Sequence, residues 1–227
     1  MKILSAITTI TPEAWRSKIT EIKKFKLREV CLFLTCLNAE ERQELYSLLS
    51  DTSIQCVPFV HIRTDMTIQE LEFLEQTYGT KLFNIHSLKE FPLIYDYGSR
   101  KKRICVENNH YTFEEREIQE FGGTCLDLSH LENDRLLHPE SYRRIINFLT
   151  KYPPRCSHVS AIKKKPFLNG NGFQRYDIHT LADLSEFDYL KRYPLEYFGQ
   201  IAAIELENPI KEQLEVQEYI NALIKNK

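Results

Sequence analysis

Six apolar, strand-prone runs in this chain end on an imidazole or a carboxylate. They are Val57-Pro58-Phe59-Val60-His61, Phe83-Asn84-Ile85-His86, Ile104-Cys105-Val106-Glu107, Thr124-Cys125-Leu126-Asp127, Cys156-Ser157-His158 and Ala203-Ile204-Glu205-Leu206-Glu207. Buried strands have little use for ionisable groups, which are costly to desolvate without partners. Repeated at the same end of successive strands, such groups point to one shared polar centre, most simply a metal site. Carboxylates joined by imidazole form an oxygen-rich donor set that suits manganese, cobalt, magnesium, iron or zinc and discriminates poorly among them.

The elements that must position these groups alternate from end to end, which predicts repeated βα units around a parallel sheet. Strands are expected over 3–9, 29–35, 54–62, 81–86, 103–107, 123–128, 156–161 and 201–207. Eight strands close a barrel, so the expected fold is an α/β (β/α)8 barrel over 1–227, one domain with short βα loops. In such a barrel the C-terminal strand ends converge on one face, and residues as distant as Glu107 and Glu205 become neighbours. Capping-box spacing marks helix starts at Asn38 with Glu41, Thr67 with Glu70, Ser87 with Glu90, and Thr112 with Glu115. Pro12, Pro139 and Pro209 stand where first helical turns should begin. One loop is long: 162–184 carries Lys163-Lys164-Lys165-Pro166 and Asn169-Gly170-Asn171-Gly172, and is the expected substrate-covering segment.

Composition bounds the function classes. The chain has 227 residues, 42% hydrophobic and 27% charged, with a formal net charge of −2, which argues against a generally basic nucleic-acid binder. No window approaches the roughly 18 uninterrupted apolar residues of a membrane helix, and no membrane partner is expected. The six cysteines form no Cys-x-x-Cys pair and fall mostly in predicted strands. They read as small buried hydrophobes in a reducing, cytoplasmic setting.

The ordered motifs resemble those of the xylose isomerase-like TIM barrels, a superfamily of sugar isomerases and epimerases that also includes endonuclease IV. Glu107 in Val-Glu-Asn resembles the family's strand-five glutamate, and Asp127-Leu128-Ser129-His130 its Asp-x-x-His. His158 in Ser-His-Val-Ser resembles the strand-seven histidine, Asp177-Ile178-His179 the Asp-x-His that follows, and Glu205-Leu206-Glu207-Asn208-Pro209 the final glutamate strand. The Gly-x-Gly usual after Asp-x-His is replaced by Thr180-Leu181-Ala182-Asp183-Leu184-Ser185. The resemblance implies a divalent metal held by Glu107, Asp127, His158 and Glu205, with Glu207 as alternate because strand alternation puts both on one face.

In the isomerase branch one ion is implied. Glu107 and Glu205 also serve as acid and base on a sugar or sugar phosphate, through a metal-stabilised enediolate, with His130 bound to substrate or to Asp127. In the endonuclease IV branch three zinc ions activate water against a phosphodiester at abasic DNA, and the implied ligands add His61, His86, His130, Asp177 and His179. His110, just beyond Glu107, can also face the site. Arg63, Lys163, Lys164 and Arg175 are expected on the site face as substrate-binding cations, with Arg135 and Lys165 beside them. The basic run Arg100-Lys101-Lys102-Arg103 falls on the opposite face. On this reading the isomerase or epimerase is favoured and nucleic acid disfavoured as partner; the alternatives are the zinc phosphodiesterase and a non-catalytic barrel used for binding.

Overall fold

Strands and helices alternate as the period-two and helical patterns predict, in a computed structural model that describes residues 1–109 and 112–225. His110 lies outside the described residues. The strands are β1 (Lys2–Leu4), β2 (Ala6–Ile7), β3 (Cys31–Phe33), β4 (Phe59–His61), β5 (Leu82–Ile85), β6 (Ile104–Glu107), β7 (Thr124–Asp127), β8 (Pro154–Val159), β9 (Ala161–Leu168), β10 (Gln174–Ile178) and β11 (Ile201–Ile204). The helices are α1 (Ala14–Phe25), α2 (Ala39–Ser50), α3 (Ile68–Tyr78), α4 (Glu115–Glu120), α5 (Leu128–Leu137), α6 (Pro139–Lys151) and α7 (Ile210–Lys225).

Among the described residues, nine strands form one parallel ladder in the order β1-β11-β8-β7-β6-β5-β4-β3-β2, a nearly closed barrel of TIM-like form. The expected eight become nine because the first strand is interrupted at Ser5. Its front half, β1, pairs with β11, whereas its back half, β2, pairs with β3. A strand residue's own N–H and C=O point to the same side. The Ser5 carbonyl accepts from Cys31 N at 3.0 Å on the β3 side, so the Ala6 groups face the seam. There the fully buried side chain of Gln213, from α7, takes the place of a ladder. Its Oε1 accepts from Ala6 N at 2.8 Å, and its Nε2 donates to Ala6 O at 3.1 Å and Leu206 O at 3.1 Å.

Local signals act as expected in part. Asn38–Glu41 and Thr67–Glu70 form complete capping boxes on α2 and α3, and Pro139 opens α6. The Ser87–Glu90 pair starts no α-helix. A helix running on from Ser87 would bring the Pro92 ring against the Leu88 carbonyl. The segment instead turns and reaches a 3-10 turn at Gly98–Arg103, anchored by buried Tyr97, whose hydroxyl donates to Met66 O at 2.9 Å. Likewise α4 begins at Glu115 itself, one residue past Glu114, so the Thr112–Glu115 box does not form.

Inside the barrel, Leu4, Ala6, Cys31, Phe33, Phe59, Leu82, Cys105, Cys125, Cys156, Ile201 and Ala203 make a dry floor. All six cysteines are free, and four of them belong to this floor as small apolar filling. Strand alternation then lifts the next inward residue one pleat higher: His61 after Phe59, Glu107 after Cys105, Asp127 after Cys125 and His158 after Cys156. The long insertion is an antiparallel hairpin of β9 and β10, turned at Asn169–Gly172 with Gly172 at φ 78. Among the described residues, no helix is long and apolar enough to cross a membrane.

Candidate metal centre

The inward side chains meet at the C-terminal mouth of the barrel, in an open cleft of about 470 Å³. His61, His86, Glu107, His130, Asp177, His179 and Glu205 line it, with the hairpin supplying Phe167, Asn169 and Arg175 as one wall. Asp127 and His158 lie fully buried beneath.

Glu107 is the hub. Its Oε2 lies 3.5 Å from His61 Nδ1 and 3.3 Å from His158 Nδ1. Glu205 Oε2 stands 3.5 Å from the same His158 nitrogen, and its Oε1 is 3.8 Å from His179 Nδ1. His86 joins through its ring, at right angles to His61 with centroids 4.8 Å apart. Asp127 is also the N-cap of α5: its Oδ1 accepts from Ser129 N at 2.7 Å and His130 N at 2.9 Å. The cap leaves Oδ2 turned toward His130 Nδ1, at 3.7 Å.

Two asparagines that the strand-end reading passed over hold this arrangement. Asn84, fully buried on β5, donates from Nδ2 to Glu107 Oε2 at 2.7 Å. Asn108 accepts from Asp127 N at 2.7 Å through Oδ1, donates to Asp127 O at 3.1 Å, and offers its carbonyl to His130 Nδ1 at 3.0 Å. The sequence signal for Asn84 was an amide inside the apolar run Phe83–Ile85, where an unpaired side chain would be costly.

The fit to a metal rests on atoms left without partners. Buried polar atoms are nearly always hydrogen-bonded. Here His61 Nδ1, His158 Nδ1 and Asp127 Oδ2 are buried and have none. Donor atoms of His61, Glu107 and His158 lie within 4.8 Å of one another, as do those of Glu107, Asp127 and His130, and of Asp127, His158 and Glu205. A zinc–ligand distance of about 2.1 Å places tetrahedral ligands about 3.4 Å apart, and the separations around Glu107 match it. The residues therefore fit a divalent ion.

Charge follows the same pattern. Burial opposes the carboxylate of Glu107, but His158 and His61 outweigh it and hold Glu107 well below the usual carboxylate range. Burial pushes Glu205 upward, against His179 and His158. His61 is kept neutral by burial despite Glu107. Burial disfavours charge on His158 and His130, yet the acids around each outweigh it and raise both to about 9. Their folded values exceed the ordinary 6.5, so in the metal-free protein this contribution to stability is fully present below about pH 6.5 and is lost as pH climbs to about 9. Ligation by His158 must displace its proton. Zinc affinity is thus expected to rise with pH up to about 9, by about tenfold per unit. Calorimetric titrations between pH 6 and 9 in buffers of different ionisation enthalpy measure it; a pH-independent affinity would refute the proton displacement.

Glu207 and Glu205 part company. The strand ends at Ile204, so alternation no longer carries Glu207 to the centre. It turns outward to buried Lys18 on α1, Oε1 to Nζ 3.8 Å, and accepts from Thr11 N at 2.8 Å. The expected cations also separate. Arg175 borders the cleft and forms a two-pronged pair with Asp177. Arg63 lies beside a smaller hollow of about 100 Å³, pairing with Asp65 and donating to Thr35 O at 2.6 Å. Lys163 turns to Glu186 at 2.9 Å, and with exposed Lys164 and Lys165 it borders a separate hollow on the hairpin. Arg135 is held by Glu132 at 2.7 Å.

No protein-family model matches the chain, and no curated protein matches it with significance.

Proposed function

We propose that this chain is a divalent-metal-dependent phosphodiesterase with a (β/α)8 architecture of the xylose isomerase-like kind, on the endonuclease IV side of that superfamily. The observation that carries the reading is the surplus of donors. An isomerase-type centre needs only Glu107, Asp127, His158 and Glu205, yet His61, His86, His130, Asp177 and His179 surround the same cleft. Glu107 belongs to two neighbouring donor trios, which suits a centre with more than one ion.

Divalent ions bound there would supply Lewis-acid polarisation of a phosphoryl oxygen and a water acidic enough to attack at neutral pH. The chain's own residues prepare that chemistry. Asn84 fixes one Glu107 oxygen, and Asn108 fixes both the Asp127 backbone and the His130 ring, so the donors are oriented before substrate arrives. Phe33 and Phe59 pack against the His158 ring, at 4.7 and 5.4 Å between centroids, and seal the site from below. The substrate is a compact phosphodiester rather than a long duplex, because the cations nearest the cleft are largely engaged: Arg175 with Asp177 at 2.8 Å, Arg63 with Asp65 at 2.9 Å and Lys163 with Glu186 at 2.9 Å.

One observation favours the sugar isomerase as a second reading. Glu107 and Glu205 meet at the same His158 nitrogen, at 3.3 and 3.5 Å, and their surroundings push the first carboxyl down and the second up, as an acid–base pair requires. Incubating the zinc- or manganese-loaded protein with bis(p-nitrophenyl) phosphate separates the two. Metal-dependent release of p-nitrophenol is the expected result. Absence of release, with solvent deuterium instead entering a ketose or aldose at carbon, would replace the phosphodiesterase by the isomerase.

A further inference from the structure

We propose that the cleft takes two divalent ions, not three, and that the Arg175 guanidinium stands in the place of a third. The inference rests on the multinuclear phosphodiesterase reading and concerns the donor group His130, Asp177 and His179. That group differs from the rest of the centre. Around Glu107 and Asp127, the atoms His61 Nδ1, His158 Nδ1 and Asp127 Oδ2 lack partners, whereas both Asp177 oxygens are taken: Arg175 Nε donates to Oδ1 at 2.8 Å and Nη2 to Oδ2. Among the described residues, the trios of donor atoms within 4.8 Å of one another include neither Asp177 nor His179. Each of the two histidines spends Nδ1 on a backbone carbonyl, His130 on Asn108 at 3.0 Å and His179 on Glu205 at 3.3 Å, so Nε2 is the nitrogen left to each, and that of His130 stands 3.5 Å from the guanidinium-bound Asp177 Oδ2.

Position explains why the guanidinium holds. Arg175 precedes Asp177 by two residues in β10, so the pair is built into one strand and costs little chain entropy to form. Asp177 is 6% exposed, and an ion taking its oxygens would have to evict the guanidinium and leave two cations facing each other. A two-pronged guanidinium–carboxylate pair is among the stronger charged contacts, and its charge persists at every working pH. Two of the five N–H groups serve Asp177, leaving three for a ligand in the cleft that Arg175 lines. Arg175 is thus the fixed positive charge for a phosphoryl oxygen, beside ions held by the Glu107 and Asp127 donors.

Zinc counting tests this without an activity assay. The chain is stripped with chelator, reloaded with Zn²⁺ alone, freed of excess metal and analysed by atomic emission. Two ions per chain are expected in the natural protein, still two in Asp177→Asn, and three in Arg175→Gln, where Asp177 is vacated. Three ions in the natural protein, a loss in Asp177→Asn, or an unchanged two in Arg175→Gln each overturn the proposal. Should Arg175→Gln not fold, Asp177→Asn and the natural protein decide it. A single ion in the natural protein would instead overturn the multinuclear reading on which the inference rests.

Discussion

Glu107→Gln is expected to lower metal-dependent turnover by about a thousandfold or more while the chain still folds. The carboxylate is 2% exposed and faces two imidazole nitrogens within 3.5 Å, so its negative charge is what gathers His61 and His158 around one point. Glutamine keeps the shape and still offers an oxygen to Asn84, but it removes the charge. His158 then loses its principal acidic partner, and zinc loses an anionic donor shared by two trios. The same variant should lose most of the thermal stabilisation that zinc confers on the natural chain, because that shift tracks affinity. Turnover and zinc-dependent melting are read together. Retained turnover refutes the role of Glu107, and an unchanged zinc shift refutes its part in holding the ion.

Gln213→Leu is the corresponding expectation for the fold. It should destabilise the chain by about 3 kcal/mol, since the Ala6 N–H and C=O would both be left buried without partners at the seam. Leucine matches the volume closely, so the loss reports on the hydrogen bonds rather than on a cavity. Leu206 O keeps Thr8 Oγ1 at 2.8 Å and is spared. Chemical denaturation, with the midpoint converted through a common slope, gives the number. A change below about 1 kcal/mol would mean that the seam needs no bridge.

How much of this was legible beforehand depends on the range of the physics. Strand-end position is local, and it gathered His61, Glu107, Asp127 and His158 at one end of successive strands; the floor of cysteine and phenylalanine one pleat below them emerged only in the folded chain. Capping at Asn38 and Thr67 is equally local, and both boxes form. At Ser87 a proline five residues on outweighed the capping pattern, and the expected helix is replaced by turns. Glu207, carried as the alternate to Glu205, rested on alternation extended past Ile204, where the strand ends and Lys18 claims the carboxylate. The cations were assigned by loop, yet a long side chain goes wherever an acid waits: Lys163 to Glu186, Arg63 to Asp65.

By itself, then, the order of residues determined the α/β alternation and the level of each donor, because strand pleating and strand-end spacing act over a few residues. Only the tertiary structure decided the rest. Ser5 splits the first strand because its two halves meet different neighbours, β11 and β3, and Gln213 closes that gap from a helix more than two hundred residues away. The turn of Glu207 to Lys18, the pinning by Asn84 and Asn108, and the capture of Asp177 by Arg175 all depend on which partner a buried charge or amide reaches first. Desolvation makes that partner obligatory, and only the folded chain determines who it is.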